Sequence, residues 1–312
     1  MSFLRRLIPR SKVDVKDKFV LITGCDSGFG QETAVRLDKM GACVLATCLT
    51  KEGEQSLKSV ASDRLKTFQM DVTSSQQIKE VYEEVERYIP YNTGLWGLVN
   101  NAGIAYLGPI EWTPLEHFKR TADVNLWGTI DVTKTFLPLV KRAQGRVVNF
   151  SSVLGRVSLT LVGSYTVTKY GVQAFSDALR REMNPWGIKV SIVEPGGFRT
   201  EITSARLVQR QLQEGWNGLN DELKQEYMEK GIKLFLPMRP SPHTYKIVDG
   251  VVEALTSESP RDRHLIGLDT PVYAWLARLP AVYGDAIIKL LSITLPLPPK
   301  ITKKLKLKIS EQ

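Results

Sequence analysis

Short apolar runs alternate with helix-forming segments along most of the chain, and this alternation is the strongest constraint on its fold. The runs are Phe19–Thr23, Ala42–Cys48, Leu65–Met70, Gly97–Val99, Arg146–Phe150 and Lys189–Val193. Nearly continuous apolar runs of this length are typical of parallel strands that helices cover on both faces. Six strands that alternate with helices therefore predict an α/β protein built on one doubly wound parallel sheet.

The segments between the strands carry helix signals. Ser74 and Gln77 have the spacing of a capping box, in which a side-chain hydroxyl accepts a hydrogen bond from the backbone amide three residues on. Thr113–Glu116 predicts a second capping box, with Pro114 at the first helical position. A long helix is predicted from about Ser164 to Met183.

The composition is that of a globular protein. The 312 residues are 43% apolar and 24% charged, which excludes a disordered chain, a collagen-like chain and an integral helical bundle. The cysteines Cys25, Cys43 and Cys48 form no metal-binding cluster, so neither a zinc site nor a disulfide framework is predicted. We divide the chain into a basic segment over 1–15, one domain over 16–270 with a polar, mostly helical insertion at 200–245, and a C-terminal arm over 271–312.

The net charge of +9 is concentrated at the two ends of the chain. The cations there are Arg5, Arg6, Arg10 and Lys12 at the first end and Lys300, Lys303, Lys304, Lys306 and Lys308 at the second. A nucleic-acid-binding protein places its charge on an element that enters a groove, so nucleic acid is the least favoured partner. The basic ends either attract the protein to an anionic membrane surface or are solvated tails.

Residues 271–299 are rich in apolar side chains, but charged residues and prolines interrupt them. The interruptions are Arg278, Pro280, Asp285, Lys289 and Pro296. A membrane-spanning helix needs about 20 apolar residues in a row, so this apolar arm is predicted not to cross a bilayer. It either lies in the membrane interface, with the following lysines on lipid phosphates, or packs on the body or on a second subunit of a homo-oligomer.

The start of the chain gives little targeting information. Residues 1–10 contain no uninterrupted apolar stretch and form neither a clear signal peptide nor a spanning helix. We expect an intracellular, membrane-associated protein, with the endoplasmic reticulum preferred over the mitochondrion and the cytoplasm as the alternative.

A glycine-rich segment, Thr23–Gly30, follows the first predicted strand and opens the first helix. Its glycines have the spacing G-x-x-x-G-x-G. Glycines let the backbone turn tightly and approach a pyrophosphate, whose oxygens accept hydrogen bonds from the free N–H groups of the helix start. In this strand–turn–helix context the segment predicts a dinucleotide site in a Rossmann-type fold.

Six motifs, in order along the chain, resemble those of the short-chain dehydrogenase/reductase family over residues 16–270. They are the glycine-rich segment, Asn100–Gly103, Asn125, Ser152, Tyr165–Lys169 and Pro195–Gly196. The residues around them are similar to the branch that contains retinol dehydrogenases, 17β- and 3α-hydroxysteroid dehydrogenases and the D-β-hydroxybutyrate dehydrogenase. Ser158–Ser164, which borders the substrate pocket, departs from the glycine-rich stretch that many members have at this place.

The resemblance implies a catalytic tetrad and a set of cofactor contacts. Tyr165, Lys169, Ser152 and Asn125 form the implied tetrad, in which Ser152 holds the substrate oxygen and Asn125 orders a water next to Lys169. The implied cofactor contacts are Thr23, Gly24, Asp26, Ser27, Gly28, Phe29, Gly30, Cys48, Asp71, Val72, Asn101, Ala102, Gly103, Tyr165, Lys169, Pro195, Gly196 and Thr200. No metal is implied.

Tyr165 and Lys169 are one helical turn apart, so their side chains leave the same face of the helix. Taking a hydride from an alcohol also requires removal of the hydroxyl proton, and a phenol with a pKa of about 10 is a poor base at neutral pH. We therefore expect the Lys169 ammonium and the positive nicotinamide ring to lower the pKa of Tyr165.

The end of the second strand bears on the choice between NAD and NADP. NAD-specific members often have an acidic residue there that binds the ribose hydroxyl. Cys48 occupies this place, Leu49 follows where an NADP-binding arginine often lies, and Lys51 is the nearby cation. Members of the branch with the sequence Cys-Leu-Thr at this place mostly use NAD, so the resemblance implies NAD rather than NADP.

The leading hypothesis is an oxidoreductase that transfers a hydride between NAD(H) and a lipophilic alcohol or ketone, such as a steroid or retinoid. The 200–245 insertion, including Phe235–Met238, is then the pocket wall and lid. One alternative is a dehydrogenase of a small hydroxy acid, and another is a dinucleotide-binding scaffold without turnover. The cation needed by the hydroxy acid would come from Arg156, Arg199, Arg206 or Arg239. His117, His243 and His264 are predicted to be structural.

Overall fold

The structure is a computed structural model that describes residues 11–200, 202, 204–230, 232–235 and 240–295. Its strands are β1 (Phe19–Ile22), β2 (Cys43–Cys48), β3 (Lys66–Gln69), β4 (Leu95–Asn100), β5 (Arg146–Phe150), β6 (Lys189–Pro195), β7 (Ile232–Phe235), β8 (Arg263–Ile266) and β9 (Ser292–Leu295). Seven of them form one parallel sheet in the order β3-β2-β1-β4-β5-β6-β8. The predicted α/β, doubly wound architecture is therefore confirmed.

Helices connect the strands and cover both faces of the sheet. They are α1 (Gly28–Lys39), α2 (Lys51–Lys58), α3 (Ser75–Tyr88), α4 (Leu115–Ala122), α5 (Thr129–Arg142), α6 (Gly163–Met183), α7 (Ala205–Asn217), α8 (Asp221–Lys230), α9 (Tyr245–Thr256), α10 (Thr270–Leu276) and α11 (Ala281–Leu291). A π-helical stretch, Asp123–Gly128, joins α4 to α5.

Two apolar cores lie on opposite faces of the sheet, because neighbouring side chains of a strand point to opposite sides. In β1, Val20 and Ile22 join the core formed with α1 and α9. Leu21 joins the core formed with α3 and α5. Both faces are therefore buried, which is why the strands read as continuous apolar runs.

The strand order reverses between β1 and β4, so the connections that leave their carboxyl ends run to opposite faces of the sheet. A crevice opens at such a switch point, and ligands of open α/β sheets bind there. Thr23–Gly30 follows β1, and Asn101–Gly103 follows β4. The fold thus brings two of the sequence motifs to the edge of the sheet where ligands of such folds bind.

Six of the seven strands lie where the sequence predicts them, with ends that differ by at most two residues. The seventh, β8, is not predicted, because Arg263 and His264 interrupt its apolar pattern. In the fold, Arg263 pairs with Glu194 and Asp177, and His264 lies 3.0 Å from Glu253. Charges that are paired in this way can be buried, so a polar segment serves as an edge strand.

The two predicted capping boxes have different outcomes. The Ser74 hydroxyl accepts a hydrogen bond from the Gln77 amide at 3.3 Å, as predicted, whereas the Gln77 side chain accepts one from the backbone of Asp71. The second capping box is wrong. Thr113 donates its hydroxyl hydrogen to the Pro109 carbonyl at 2.8 Å, and Pro114 is the cap of α4.

The 200–245 insertion contains α7, α8 and β7 and packs on the loop before α4. Trp112 of that loop lies edge-on to Trp216 and Tyr227, with ring centroids 5.4 and 4.9 Å apart. Leu161 joins the same cluster and adopts a left-handed backbone conformation with φ of 69°. Of the segment predicted to complete the lid, Leu236, Pro237 and Met238 lie outside the described residues.

The described part of the apolar arm packs its inner face on the body. Tyr273 and Leu276 of α10 form a buried cluster with Val153 and Val157, which follow Ser152. The outer face is exposed, and its large apolar side chains are Val272, Trp275, Val282, Tyr283 and Leu290. The strand β9 then pairs antiparallel with β7, so the arm returns to the insertion.

The ends of the chain divide between described and undescribed residues. Residues 11–15 already belong to the folded body, where Lys12 bridges to Ser257 and Val15 is buried. Residues 1–10 and 296–312, which hold most of the basic side chains at the two ends, lie outside the described residues. Within the described residues, no helix is long and apolar enough to cross a membrane.

Candidate active site

The glycine-rich segment turns so tightly that side chains are excluded at two of its positions. Gly24 has φ of 69°, and a Cβ there would lie 2.8 Å from the Cα of Ala102. A Cβ on Gly30 would lie 2.3 Å from the Gly24 carbonyl oxygen and 2.5 Å from the Asn101 amide nitrogen. The glycines therefore let the β1–α1 turn approach the segment after β4, as close packing of this turn requires.

Thr23 and Asn101 tie these two segments together. The Asn101 side-chain amide donates to the carbonyls of Thr23 and Gly24, both at 2.9 Å. The Thr23 hydroxyl accepts from the backbone amides of Asn101 and Ala102, both at 3.0 Å. These bonds fix the turn, so that the amides at the start of α1 stay directed at the crevice.

The other predicted residues of this segment divide into backbone and side-chain positions. Ser27 precedes α1 in an extended conformation, and Gly28 has φ of 58°. The ring of Phe29 is turned into the core, 6.1 Å from the rings of both Phe150 and Phe198. Phe29 can therefore offer a cofactor only its backbone.

The carboxylate of Asp26 is fully engaged with the segment after β2. It accepts hydrogen bonds from the amides of Leu49 and Thr50 at 2.9 and 2.8 Å, and from the Thr50 hydroxyl at 2.8 Å. The thiol of Cys48 ends β2 beside this carboxylate, and burial together with the charges of Asp26 and Glu54 raises its pKa to about 12. A neutral thiol and a carboxylate therefore stand where the sequence places the adenosine ribose.

Ser152 lies at the end of β5 and begins a 3-10 turn, Val153–Gly155. Its hydroxyl accepts from the Leu154 amide at 3.1 Å and reaches the Pro195 carbonyl at 3.3 Å as a donor. The Tyr165 phenol lies close enough to the Ser152 side chain for a hydrogen-bonding interaction that lowers its pKa. The fold thus brings the two side chains together, although Ser152 follows β5 and Tyr165 lies in α6.

Tyr165 and Lys169 point from the same face of α6, as predicted. Burial raises the pKa of Tyr165 to about 12, and the hydrogen bond with Ser152 opposes that rise. Lys169 is 4% exposed, and burial lowers the pKa of its ammonium to about 8. Its Nζ lies 5.4 Å from the Tyr165 ring centroid and donates to the Phe150 carbonyl at 2.8 Å.

The expected lowering of the Tyr165 pKa by Lys169 is therefore not produced by the protein groups themselves. Desolvation disfavours the phenolate and raises the pKa of Tyr165. This effect is larger than any stabilisation of the phenolate by the Lys169 ammonium, which is itself buried and donates its hydrogen bond to the Phe150 carbonyl. The other expected source of this lowering is the positive charge of a bound nicotinamide, which the protein chain itself does not supply.

Asn125 occupies the π-helical stretch, a distortion that occurs frequently at functional sites. Its side chain accepts from the Ile104 amide at 2.8 Å and donates to the Ile104 carbonyl at 2.9 Å and the Thr168 hydroxyl at 3.1 Å. Gly103 lies beside it, since a Cβ there would be 3.3 Å from Asn125 Oδ1 and 3.8 Å from Lys169 Nζ. Asn125 and Lys169 thus meet at one end of the crevice.

Pro195 and Gly196 end β6 in a turn that an unpredicted residue holds. The Asp269 carboxylate accepts from the Gly197 amide at 2.7 Å. It lies so close that a Cβ on Gly196 would be 1.9 Å from its Oδ1. The sequence signal for this residue is Asp269-Thr270-Pro271, in which an acidic side chain precedes a helix start with Pro.

A second unpredicted group is Glu194, which is fully buried directly before Pro195. It accepts two hydrogen bonds of 2.8 Å from Arg156 and also binds Gln173 and Arg263. These partners lie in the serine turn, α6 and β8. No local sequence signal indicates this network, because its members are distant in the chain.

The remaining predicted contacts lie at the edges of the crevice. The Asp71 carboxylate accepts from the amide and hydroxyl of Thr73 and so orders the turn after β3. The backbone of Val72 packs against Gly128. Thr200 follows the β6 turn, and its contacts do not identify a ligand.

The three histidines contact groups outside the tetrad. His117 stacks on Tyr106 with ring centroids 3.8 Å apart, His243 faces Tyr245, and His264 pairs with Glu253. Among the described residues, no group of three His, Cys, Asp or Glu side chains is placed to hold a metal ion.

Removal of the buried ammonium of Lys169 is expected to stabilise the folded protein at pH 7. Its pKa falls from 10.5 to about 8 on folding, so the penalty is complete below pH 8 and disappears as the pH rises toward 10.5. One pKa unit corresponds to about 1.4 kcal/mol, and loss of the bond to Phe150 offsets about 1 kcal/mol. We expect Lys169→Met to raise the free energy of unfolding by about 2–3 kcal/mol at pH 7 and to lose this advantage at pH 10.

Urea denaturation at the two pH values measures this difference. The control is Lys134→Met, since Lys134 is exposed on α5, and its effect should stay within about 0.5 kcal/mol at both pH values. A Lys169→Met protein that is less stable than the wild type at pH 7 would contradict the expectation.

Comparison with known proteins identifies the family. The family model for the short-chain dehydrogenases matches residues 18–211. The chain is 44% identical to retinol dehydrogenase 7 of Rattus norvegicus over 295 residues, which cover 91% of this chain and 92% of the relative. It is 40% identical to the human dehydrogenase/reductase SDR family member 9, with 88% of each chain covered.

Solved structures give the same fold. A short-chain dehydrogenase from Streptomyces avermitilis matches with a TM-score of 0.66 and 26% identity, over 88% of this chain and 94% of the other. A short-chain dehydrogenase from Burkholderia cenocepacia in complex with NADP matches with a TM-score of 0.69 and 22% identity, over 88% and 99%. The chain belongs to the short-chain dehydrogenase family, whose members are oxidoreductases that use a nicotinamide dinucleotide.

Proposed function

We propose that this protein is an NAD-dependent dehydrogenase of a lipophilic alcohol, with a retinoid as the leading substrate class and a steroid as the alternative. The observation that carries the proposal is the convergence of Ser152, Tyr165 and Lys169 at the crevice of a chain that is 44% identical to a retinol dehydrogenase. An unmodified tetrad argues against a dinucleotide-binding scaffold without turnover.

In this proposal the substrate hydroxyl lies between Ser152 and Tyr165. Ser152 donates a hydrogen bond to the substrate oxygen and stabilises the charge that develops on it. Tyr165 takes the hydroxyl proton through its phenol oxygen. An oxidised nicotinamide cofactor in the crevice would supply the hydride acceptor and a positive charge that would lower the pKa of Tyr165.

Lys169 and Asn125 complete the proton path. The Lys169 ammonium, with its pKa lowered to about 8, is close to the range in which it can exchange a proton at neutral pH. The side-chain amide of Asn125 is fixed by hydrogen bonds to both the N–H and the C=O of Ile104. We propose that Asn125, held in this way, orders a water next to Lys169. The path leads from Tyr165 through Lys169 to solvent.

The groups at the end of β2 support NAD as the cofactor. The Asp26 carboxylate lies beside Cys48, and Glu54 adds a second negative charge near the same thiol. These charges would repel the 2′-phosphate of NADP, whereas the ribose hydroxyls of NAD carry no charge. The cation Lys51 is adjacent to Glu54, which reduces its effect on a phosphate.

The remaining cofactor contacts stay proposals that the geometry of the crevice supports. The Gly24–Gly30 turn and the first amides of α1 would bind the pyrophosphate. Asp71 and Val72 would border the adenine, Ala102 and Gly103 the ribose, and Pro195, Gly196 and Thr200 the nicotinamide carboxamide.

The substrate proposal rests on what surrounds the tetrad. α7 and α8 pack on the loop before α4 through the aromatic cluster of Trp112, Trp216 and Tyr227, and we propose that the insertion is an apolar lid over the crevice. A small hydroxy acid would need a cation for its carboxylate. Arg156, one of the arginines considered for that role, makes two hydrogen bonds to the buried Glu194 and is unavailable to a substrate.

The exposed face of α10 and α11 supports a peripheral contact with an intracellular membrane, the endoplasmic reticulum in the first place. Trp275 is 52% exposed and Leu290 is 83% exposed on this face. An apolar face followed by lysines is typical of segments that lie in the membrane interface. A lipophilic alcohol that partitions into lipid would then reach the enzyme from the bilayer.

Replacement of the tyrosine hydroxyl tests the chemistry. Tyr165→Phe keeps the ring and removes the proton acceptor, so kcat with retinol and NAD should fall by about 10²–10⁴-fold while NAD binding is kept. The matched control is Tyr170→Phe, because Tyr170 lies on the exposed face of the same helix and should retain wild-type turnover. Near-normal turnover by Tyr165→Phe would refute the mechanism, and a wild-type enzyme that acts on 3-hydroxybutyrate but not on retinol or steroids would refute the substrate class.

The cofactor proposal predicts that KM for NADP exceeds KM for NAD by about tenfold or more, which corresponds to about 1.4 kcal/mol of repulsion. Salt screens charges near a protein surface, so KM for NADP should fall toward that for NAD between low and high ionic strength. KM for NAD serves as the internal control and should change little. A lower KM for NADP at low salt would contradict the role given to Asp26 and Glu54.

Two neighbouring residues of α10 separate membrane contact from packing. Trp275→Ala should weaken sedimentation with anionic vesicles and leave folding unchanged. Leu276→Ala, at a side chain that is 4% exposed, should lower the free energy of unfolding by about 2–4 kcal/mol.

Changing the lysines of residues 300–308 to Gln should remove the salt-sensitive part of vesicle binding, since each lysine contributes about 1 kcal/mol near an anionic surface. No sedimentation at low salt would refute the membrane proposal.

A further inference from the structure

An extended segment, Ile104–Leu107, lies between the tetrad and the insertion. Its first residue is held by Asn125, whose amide binds both the N–H and the C=O of Ile104. Its third carbonyl, that of Tyr106, accepts from the hydroxyl of Ser164, which directly precedes Tyr165. The backbone of this segment is therefore bonded on one side to the groups that carry the chemistry.

Gln211 of α7 binds the other side of the same segment. Its Nε2 donates to the Ala105 carbonyl at 2.9 Å, and its Oε1 accepts from the Leu107 amide at 3.0 Å. The Tyr106 hydroxyl donates to the backbone carbonyl of Gln211 at 3.3 Å. One side-chain amide thus satisfies two backbone groups in the way that a neighbouring strand would.

The burial of the Gln211 side chain makes its two hydrogen bonds energetically important. Gln211 is 8% exposed, and a polar group that is buried without partners costs about 1–3 kcal/mol. The apolar contacts of α7 with the body include those of Trp216 in the aromatic cluster, and apolar contacts have little directional preference. Gln211 therefore fixes the position of α7 along the segment, which the aromatic rings alone do not.

We propose that Gln211 is a positioning residue that latches the lid helix α7 onto Ile104–Leu107 and so links lid closure to the placement of Asn125. The inference rests on the proposed function, in which a lipophilic alcohol must pass α7 to reach Tyr165. When the latch is made, the backbone held by Asn125 has no freedom to shift. When it opens, the lid helix and this backbone are released together.

The test uses the full chain and three variants. Gln211→Leu removes both hydrogen bonds. Gln211→Glu keeps the shape and the acceptor but places an oxygen against the Ala105 carbonyl, so it provides a second variant if the first does not fold. Gln213→Leu is the matched control, because Gln213 lies on the exposed side of the same helix and bonds only to Asn217 at its surface.

Hydrogen exchange measured by mass spectrometry reports the latch without any substrate. Exchange in peptides that contain Leu107 and in those from α7 should be about tenfold faster in both Gln211 variants, the effect expected for one or two lost hydrogen bonds. The Gln213→Leu protein should exchange like the wild type. Equal exchange in the Gln211 and Gln213 variants would overturn the latch.

Steady-state kinetics then tests the link to the reaction, with retinol or with whichever alcohol of a retinoid and steroid panel the wild type oxidises best. We expect KM for the alcohol to rise about five- to tenfold in the Gln211 variants while KM for NAD is unchanged, because only the lid is released. A simple loss of folded protein would lower the apparent kcat without this split. Faster exchange with unchanged KM for the alcohol would overturn the link.

The two proposals fail separately. If the wild type oxidises no lipophilic alcohol, the proposed function is wrong, whereas the exchange experiment still decides whether Gln211 holds α7. If the wild type oxidises retinol and the exchange rates do not differ, the proposed function stands and the latch is wrong.

Discussion

The buried carboxylate of Glu194 joins four segments that converge on the active site. Arg156 connects it to the turn that Ser152 begins, Gln173 to the helix of the catalytic tyrosine, and Arg263 to the edge strand β8. Glu194 itself directly precedes the Pro195–Gly196 turn. Breaking a buried ion pair leaves an uncompensated charge and costs about 3–5 kcal/mol. The network therefore helps to keep the Ser152 turn, the helix of Tyr165 and the Pro195–Gly196 turn in their relative positions.

Burial also governs the chemistry of the tetrad. Removing water from Tyr165 and Lys169 moves the two pKa values in opposite directions, to about 12 and about 8. Burial shifts each group toward its neutral form, although Lys169 is still mainly an ammonium at pH 7, and Tyr165 keeps its proton until a further positive charge is brought to it. The site is thus matched to a reaction in which the cofactor supplies that charge. Stability is given up at this place, since a buried ammonium is unfavourable in the folded state.

The sequence predicts those parts of the protein that local patterns determine. The six strands follow from their continuous apolar runs, and the glycine turn follows from backbone sterics. The candidate site residues follow from motifs spaced as in the short-chain dehydrogenase family, and they are Ser152, Tyr165, Lys169 and Asn125. β8, Glu194, Asp269 and Gln211 are not predicted, because their polar side chains are explained only by partners distant in the chain. The rise in the pKa of Tyr165 in the protein alone is not predicted either, since desolvation depends on tertiary packing. The second capping box fails because Thr113 finds a nearer acceptor in Pro109.

Leu161 shows what the departure of Ser158–Ser164 from the glycine-rich pattern means for the pocket. A leucine in the left-handed region is less favourable than glycine by about 1–2 kcal/mol, but its side chain is buried against Trp112 and Trp216. The same turn that leads into the tyrosine helix is thereby anchored to the aromatic cluster under the insertion. Glycine at this place would leave a hinge, whereas leucine makes a stiff wall. For the lipophilic alcohol proposed as substrate, a stiff wall at this place should restrict the shapes that fit the pocket.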